Sequence, residues 1–163
     1  ETIRPAAKRA GLRWRERNYL LLRRGPYVVG AGLDESITGE PRTLRRRFIN
    51  SFDPELRIRE RISLLPASRY FLLDLEARRT RETRLLASAC KALPAKRDAS
   101  LFSLVVEGVS NTPAIVLLST SKAPRSVALA GQVLQDFEYS SGDRLLWIRF
   151  PNEAKPRELS VHF

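Results

Sequence analysis

Few residues in this chain are of the types that perform covalent chemistry. It has one histidine, His162, and one cysteine, Cys90, and its 18 acidic residues are scattered along its length. A thiol nucleophile needs a nearby base, and no CxxC pair or Cys/His cluster has the spacing of a zinc site. We therefore expect Cys90 to be a small core residue and His162 to point outward from a strand, unless the fold brings the two together.

The run RRGPYVVGAGLDES at 23–36 combines glycines with two adjacent acids. A phosphate-binding loop needs several backbone N–H groups at the start of a helix, whereas Gly30 and Gly32 supply only GxG, with no following lysine and no helical pattern. Glycines inside a strand mark a bulge or a close approach by another backbone. We expect a turn at Gly25-Pro26 and then a core strand.

The acids of the chain suggest binding or structural roles. Asp34 and Glu35 are sequence neighbours and point in opposite directions along an extended chain, so they do not face each other as a general acid and base must. They are candidates to pair with arginines, to bind a sugar hydroxyl or, with Ser36, to hold calcium, although no DxDxDG loop is present. We expect no other cofactor. Asp74, inside FLLDLE, needs an arginine partner from an adjacent strand.

Exposed aromatic side chains are the usual platforms for sugars. Tyr70 in RYFLL and Trp147 in LLWIRF lie in apolar runs that favour burial, whereas Trp14 and Tyr139 have polar neighbours. Trp14, Tyr139 and Tyr27 are therefore the aromatic candidates for ligand binding. With the two acids, the candidate ligand-binding residues are Trp14, Tyr27, Asp34, Glu35 and Tyr139.

The chain is strongly basic, with 29 lysines and arginines against 18 acids and a formal charge of +11. This balance predicts attraction to polyanions such as nucleic acid or an acidic polysaccharide. Arg13, Trp14, Arg15 and Arg17 come closest to the pattern of interleaved aromatic and basic residues found in nucleic-acid binders. The alternative is a generally arginine-rich composition spread over solvated strand faces.

Apolar and polar residues alternate with a period of two along most of the chain, which indicates β-strands separated by turns every 8 to 12 residues. We predict an all-β fold, an antiparallel β-sandwich of jelly-roll or galactose-binding-like type with about eleven strands. The predicted strands are 12–23, 26–33, 43–52, 56–65, 68–77, 100–108, 114–120, 126–131, 135–141, 144–150 and 158–163.

Residues 76–98 show the weakest strand pattern. We predict a charged connection followed by a strand over 85–93, with a short helix as the alternative. We assign residues 1–163 to a single domain, with a possible seam at 76–98 between two β sub-domains.

No apolar stretch approaches the roughly 20 residues of a membrane helix, so we expect no membrane partner. The chain opens with Glu1 and contains no methionine, from which we expect a processed chain or a piece of a longer protein.

The C-terminal half carries a family resemblance. VVEGVSNTPAIVLLS, followed by Pro124–Gly131, Leu145–Phe150 and Arg157–Phe163, resembles the C-terminal β-sandwich domains of bacterial glycoside hydrolases and related secreted polysaccharide-degrading proteins. Those domains carry P-x-x-V-x-L-x-G, L-L-x-I-x-F and R-E-L-x-V-x-F strands. The first half looks like a companion β-rich segment, and no catalytic motif is shared.

The resemblance implies a non-catalytic accessory domain of a carbohydrate-active protein. Its role would be structural or carbohydrate-binding. Its partners would be a polysaccharide or oligosaccharide and a catalytic domain of the same parent protein. Its location would be extracellular or in the cell envelope. An acidic glycan would suit the charge of +11. The alternative function is a polyanion or nucleic-acid binding module that uses the arginine-rich surface.

Overall fold

The computed structural model describes residues 3–13, 16–34, 39–77 and 82–163. Strands hold 56% of the described residues and form antiparallel sheets, with one short helix in this part of the chain. This confirms the predicted all-β sandwich class. The chain forms two compact units, the first containing five strands and the second containing Pro54–Leu56 and nine strands. The assignment to one domain, with a possible seam at 76–98, stays a prediction.

The first unit is built on one sheet, with strand order β1-β2-β5-β3-β4. Its elements are α1 (Ile3–Arg9), β1 (Tyr19–Arg24), β2 (Tyr27–Gly32), β3 (Arg42–Asn50), β4 (Ile58–Leu64), β5 (Arg69–Asp74) and a 3-10 turn at Leu75–Ala77. In the first hairpin Arg24 pairs with Tyr27, which leaves Gly25-Pro26 as a two-residue turn. Gly25 has a φ of 57°, a conformation that glycine reaches without steric cost.

The sheet curls on itself at the end of β2. Gly32 forms an isolated parallel bridge with Pro66, and a Cβ at Gly32 would lie 1.8 Å from the carbonyl oxygen of Leu65. A Cβ at Gly30 would meet the Leu64 side chain at 3.0 Å. The predicted close approach by another backbone is therefore confirmed at Gly32, whereas at Gly30 the neighbour is a side chain. The curled sheet encloses a small apolar core of Val28, Phe48, Ile62, Leu64 and Leu72.

The second unit is a sandwich of two antiparallel sheets. Its strands are β6 (Arg84–Ser88), β7 (Lys91–Arg97), β8 (Leu101–Glu107), β9 (Pro113–Ser119), β10 (Ser126–Leu129), β11 (Gln132–Leu134), β12 (Phe137–Ser140), β13 (Leu145–Pro151) and β14 (Arg157–His162). One sheet has the order β11-β10-β14-β8-β7 and the other the order β12-β13-β9-β6. Alternate residues of β8, β9, β10, β13 and β14 fill the space between them. This core includes Phe102, Leu104, Val116, Leu118, Ile148 and Leu159.

Strands β9 and β13 are buried on both faces, so their sequences are almost continuously apolar. Ile115, Leu117 and Trp147 lie on the face opposite the sandwich core and are at most 7% exposed. The Trp147 indole N–H donates a hydrogen bond of 3.1 Å to the carbonyl oxygen of Leu56. The burial that the apolar run LLWIRF predicts for Trp147 is confirmed.

The strand count of about eleven is wrong, since the described residues form fourteen strands. The predicted strand at 85–93 is two strands, β6 and β7, separated by a short turn, and the helix alternative is wrong there. Strand β11 spans three residues, too few to show a period. Strand β1 begins at Tyr19 and not at residue 12. No helix in the described residues is long and apolar enough to cross a membrane.

Asp74 is fully buried at the end of β5 and is held by two arginines. Its carboxylate accepts from Arg23 of β1 at 2.7 Å and from Arg46 of β3 at 2.9 Å. The backbone N–H groups of Glu76 and Ala77 also donate to it. Because β3 is adjacent to β5, the predicted arginine partner from a neighbouring strand is confirmed.

Candidate functional site

The structure describes three of the five predicted ligand-binding residues. Tyr27 begins β2 and is 42% exposed, and Asp34 is exposed just beyond the end of that strand. The six-residue strand places the two side chains about 20 Å apart, so they do not form one site. Trp14 and Glu35 lie outside the described residues.

Tyr139 lies in β12 of the second unit and is half-buried. It packs against the sandwich core, as Leu134 and Phe137 do. Although it has polar neighbours in sequence, strand alternation turns its ring toward the apolar side of the sheet. Its ring is therefore presented to solvent less fully than that of Tyr27.

The outer side of β1, β2 and β5 carries an exposed apolar surface around Tyr27. We call it the aromatic face, and it comprises Leu20, Leu22, Arg24, Tyr27, Val29, Arg69 and Phe71. Strand register places Leu22, Val29 and Phe71 in one row across the three strands. The rings of Tyr27 and Phe71 stack with centroids 5.7 Å apart and an interplanar angle of 22°. This is the usual offset-stacked arrangement of an aromatic pair.

Two arginines lie at the border of the aromatic face. Arg24 is the cross-strand partner of Tyr27, and Arg69 lies on β5 two positions before Phe71 and on the same side of the strand. Both side chains are exposed, and neither forms an ion pair with a described residue. Their charges are therefore available to an anionic ligand that also contacts the rings.

Several other arginines of the first unit are already paired. Arg59 contacts Asp53 at 3.3 Å, and Arg46 donates to Glu76 at 2.8 Å as well as to Asp74. The hydrogen bond from Arg46, followed by that from the backbone N–H of Arg47, lowers the pKa of the Glu76 carboxyl below its ordinary value. This unit has seventeen basic and nine acidic residues, so it carries a formal +8 of the total of +11.

The second unit contains an open cleft of about 710 Å³. Ile115 and Arg149 lie at its floor, on the side of β9 and β13 that faces away from the sandwich core. Its walls are the segment Pro54–Glu55, the loop Asn111–Pro113 and the end of β11 with Asp136. We call this feature the Arg149 cleft.

Arg149 is surrounded by three carboxylates. Its guanidinium nitrogens lie 3.7 Å from Glu138, 3.8 Å from Asp136 and 4.0 Å from Glu55. Each of these distances exceeds that of a hydrogen bond, although the Arg149 side chain is only 29% exposed. One cation and three anions give this cluster a formal charge of −2 in a protein of +11.

The loop wall of the cleft is fixed by Asn152, which is 4% exposed. Its amide donates to the Thr112 hydroxyl at 3.1 Å and to the carbonyl oxygen of Pro113 at 3.3 Å. Its backbone N–H donates to the carbonyl oxygen of Thr112 at 2.8 Å. A Cβ at Gly108 would lie 2.3 Å from the Asn152 amide oxygen, so Asn152 fits only against a glycine.

Sequence reasoning missed Arg149 and its acids, although a signal was present. Asp136 and Glu138 are two apart in QDFEY, which places both on one face of a strand. Arg149 is two residues after Trp147 and lies on the face that carries Trp147. A charged residue at a position where the strand is otherwise buried indicates a polar site. The sequence does not show that Glu55, which is far from Arg149 along the chain, lies beside it.

The two residues considered for nucleophilic chemistry have separate surroundings. Cys90 is half-buried, packs against the sandwich core and lies 3.3 Å from the Ser88 hydroxyl. His162 is exposed in β14, which confirms the predicted outward direction. Among the described residues, no group of three or more His, Cys, Asp or Glu side chains could hold a metal ion. The calcium hypothesis rests partly on positions 35 and 36, which lie outside the described residues, and it stays a prediction.

Comparison with known proteins yields little. No family model matches the chain, and no curated protein matches it. Among solved structures it is similar to a mutant of the Flavobacterium johnsoniae GH31 dextranase in complex with isomaltotriose, with 8% identity and a TM-score of 0.28. The match covers 85% of this chain and 26% of that one, so the chain spans about a quarter of that protein's length. The predicted relation to glycoside hydrolase accessory domains stays a prediction.

Proposed function

We propose that the protein is a non-catalytic accessory module that binds an acidic polysaccharide on the aromatic face. The observation that supports this proposal best is the exposed, stacked pair Tyr27–Phe71 with, on either side, an arginine that forms no ion pair with a described residue. The ligand would be of the class of polysaccharide on which a carbohydrate-active parent protein acts. A catalytic domain of that parent protein would be the partner of this module.

The proposed contacts follow from the chemistry of the two groups. The apolar C–H face of a pyranose ring packs against an aromatic ring, which removes apolar area of both from water. A guanidinium donates two parallel hydrogen bonds to a carboxylate or sulfate, and such charge-assisted bonds are about twice as strong as neutral ones. Tyr27 with Arg24, and Phe71 with Arg69, supply this combination twice on one surface. A polymer with a negative group on every sugar fits that repetition.

Nucleic acid is the second candidate ligand, and the same surface favours it. Exposed aromatics on a sheet stack on single-stranded bases, and arginines contact the phosphates. The net charge of the first unit, +8, attracts either polymer. The aromatic face therefore predicts binding of a flexible polyanion, and competition between the two polymers decides which one it prefers.

The experiment is isothermal titration calorimetry with oligogalacturonate, a uronic-acid oligomer, at physiological salt. We expect binding to the wild type and about tenfold weaker binding to both Tyr27→Ala and Arg24→Ala, because each removes one principal contact. Val133→Ala and Arg125→Ala are the matched controls, since both are exposed in the second unit and neither forms an ion pair with a described residue.

The outcomes separate the candidates. If oligogalacturonate binds and a single-stranded oligonucleotide of equal charge competes poorly, the acidic polysaccharide is supported. Tighter binding of the oligonucleotide, with the same dependence on Tyr27, would assign the face to nucleic acid. Equal weakening by Arg24→Ala and Arg125→Ala, with no effect of Tyr27→Ala, would show diffuse charge attraction and overturn the proposed site.

A further inference from the structure

We propose that the Arg149 cleft is a second binding site, which takes an uncharged polyhydroxyl ligand such as the sugar unit of a neutral oligosaccharide. The proposal rests on a half-buried guanidinium that three carboxylates surround without hydrogen-bonding to it, at the floor of an open cleft. The volume of about 710 Å³ lies within the range of small-molecule sites. This site is separate from the aromatic face and has the opposite charge.

An anionic ligand does not suit this cleft. Glu55 and Asp136 line the cleft and Glu138 lies beside Arg149, so three carboxylates and one guanidinium, with a formal charge of −2 together, would lie close to the charge of such a ligand. At such distances like charges disfavour binding, although the protein as a whole is basic. The acidic polysaccharide proposed for the aromatic face is therefore excluded here.

A cationic ligand does not suit it either. Arg149 already occupies the point at which the three carboxylates meet, and an ammonium group there would lie beside the guanidinium. Among the described residues, no cluster of acids has the geometry to hold a metal ion. A cation would have to displace Arg149, whose main chain is fixed by pairing on both sides of β13.

Sugar hydroxyls satisfy both kinds of group at once. Each hydroxyl donates one hydrogen bond and accepts two, so neighbouring hydroxyls can donate to Asp136 and accept from Arg149, both of which line the cleft. Bonds to charged partners are the strong ones, and they cost no ionic desolvation on the ligand side. Asn111 adds an exposed amide at the rim. The Thr112 hydroxyl donates to Val109 and accepts from Asn152, so it supports the wall and is not a ligand contact.

The cleft is held in shape before any ligand arrives. The Trp147 indole fixes Leu56 and so positions the adjacent Glu55, and Asn152 fixes the loop on the other side. The backbone N–H of Arg149 donates to the carbonyl oxygen of Asp136 at 2.9 Å, which fixes a third wall relative to the floor. A site with fixed walls loses little entropy when a ligand binds.

The test is an NMR titration of the full chain with maltotriose and cellotriose, with the backbone amides of 111–113 and 149 and the Arg149 side-chain N–H as reporters. We expect one of these neutral sugars to shift those signals with a dissociation constant of about 1 mM. Asp136→Asn keeps the shape and removes the charge of a carboxylate that lines the cleft, and it should weaken the affinity about tenfold. Glu158→Gln, an exposed glutamate elsewhere in the second unit, is the matched control and should have no effect.

The remaining outcomes overturn the proposal. One is the absence of a shift with either sugar at about 50 mM in the folded wild type. Another is a shift that Asp136→Asn leaves unchanged, and a third is a stronger shift at these signals with spermidine or inorganic phosphate than with sugar. Tyr27→Ala should leave the sugar titration intact, and Asp136→Asn should leave oligogalacturonate binding intact. Failure of one site is thus distinguishable from failure of the other.

Discussion

Asp74 shows how a single charged residue organises the first unit. Its carboxylate is fully buried, and it receives two guanidinium groups from β1 and β3 and two backbone N–H groups from the following turn. A buried carboxylate with four donors is satisfied, and it ties strands together that are not all neighbours in the sheet. The apolar setting FLLDLE was enough to predict this role from the sequence.

Replacing Asp74 by asparagine should lower the free energy of unfolding by about 2 to 3 kcal/mol, because the amide places N–H donors opposite guanidinium donors. Arg23 and Arg46 are 43% and 40% exposed, so water can solvate them in the variant, which keeps the loss below that of a fully buried pair. Urea unfolding followed by circular dichroism measures the loss. Arg125→Ala should change stability by less than about 0.5 kcal/mol, and an equally stable Asp74→Asn protein would refute the role of Asp74.

Gly32 is required by distance and not by its backbone angle. A methyl group there would lie 1.8 Å from the Leu65 carbonyl oxygen, and a backbone atom cannot rotate away as a side chain does. Gly32→Ala should therefore destabilise the protein by about 3 kcal/mol or prevent closure of the curled sheet. Gly142→Ala is the matched control, because a Cβ at Gly142 meets nothing within 4 Å. Thermal unfolding of both variants compares them, and similar melting temperatures would contradict the account.

At the scale of elements, strand alternation predicted the fold class well and the element boundaries less well. Long strands such as β9 and β13 have enough residues to show burial, whereas β11 has three and shows none. The predicted strand at 85–93 contains the turn at Ala89–Cys90, whose small residues carry no turn signal. The hairpin of β1 and β2 follows from the predicted Gly25-Pro26 turn, but neither the pairing of β2 with β5 nor the approach of Glu55 to Arg149 follows from local sequence, so neither candidate site could be assembled beforehand.

The turn between β7 and β8 carries a pH-sensitive contact. Asp98 accepts hydrogen bonds from the backbone N–H and hydroxyl of Ser100 and from the backbone N–H of Leu101, at 2.8 to 3.0 Å. The Ser100 N–H, the Ser100 hydroxyl and then the Leu101 N–H lower the pKa of the Asp98 carboxyl below its ordinary value of 3.8. A carboxyl with a lowered folded-state pKa stabilises the fold above its unfolded pKa, and this is lost as the pH falls through the folded value.

We therefore expect the stability difference between wild type and Asp98→Asn to be constant from neutral pH down to about pH 5 and to shrink below about pH 4. Urea unfolding at several pH values measures it. Glu158→Gln serves as the control, because the exposed Glu158 carboxyl accepts no backbone hydrogen bond from a described residue. A difference that grows as the pH falls would have the wrong sign for this contact.

At the scale of the whole molecule, charge divides between the two units. The first carries +8 and the exposed aromatic pair, whereas the second carries +3 and encloses a cluster of −2 in its cleft. Composition predicted an affinity for polyanions, and Tyr27 was one of the aromatic residues proposed for ligand binding. Composition did not indicate that arginines border the rings or that an acidic cluster lies in the other unit, because both depend on strand neighbours.

The central claim is that an acidic polysaccharide binds across β1, β2 and β5. The most direct measurement is the NMR shift of the aromatic ring protons of Tyr27 and Phe71 during titration with oligogalacturonate. We predict that these protons shift together with the amides of 19–24, 27–32 and 69–74, and that they saturate at the calorimetric affinity. Saturable shifts confined to other strands, with the rings of Tyr27 and Phe71 unaffected, would contradict the account.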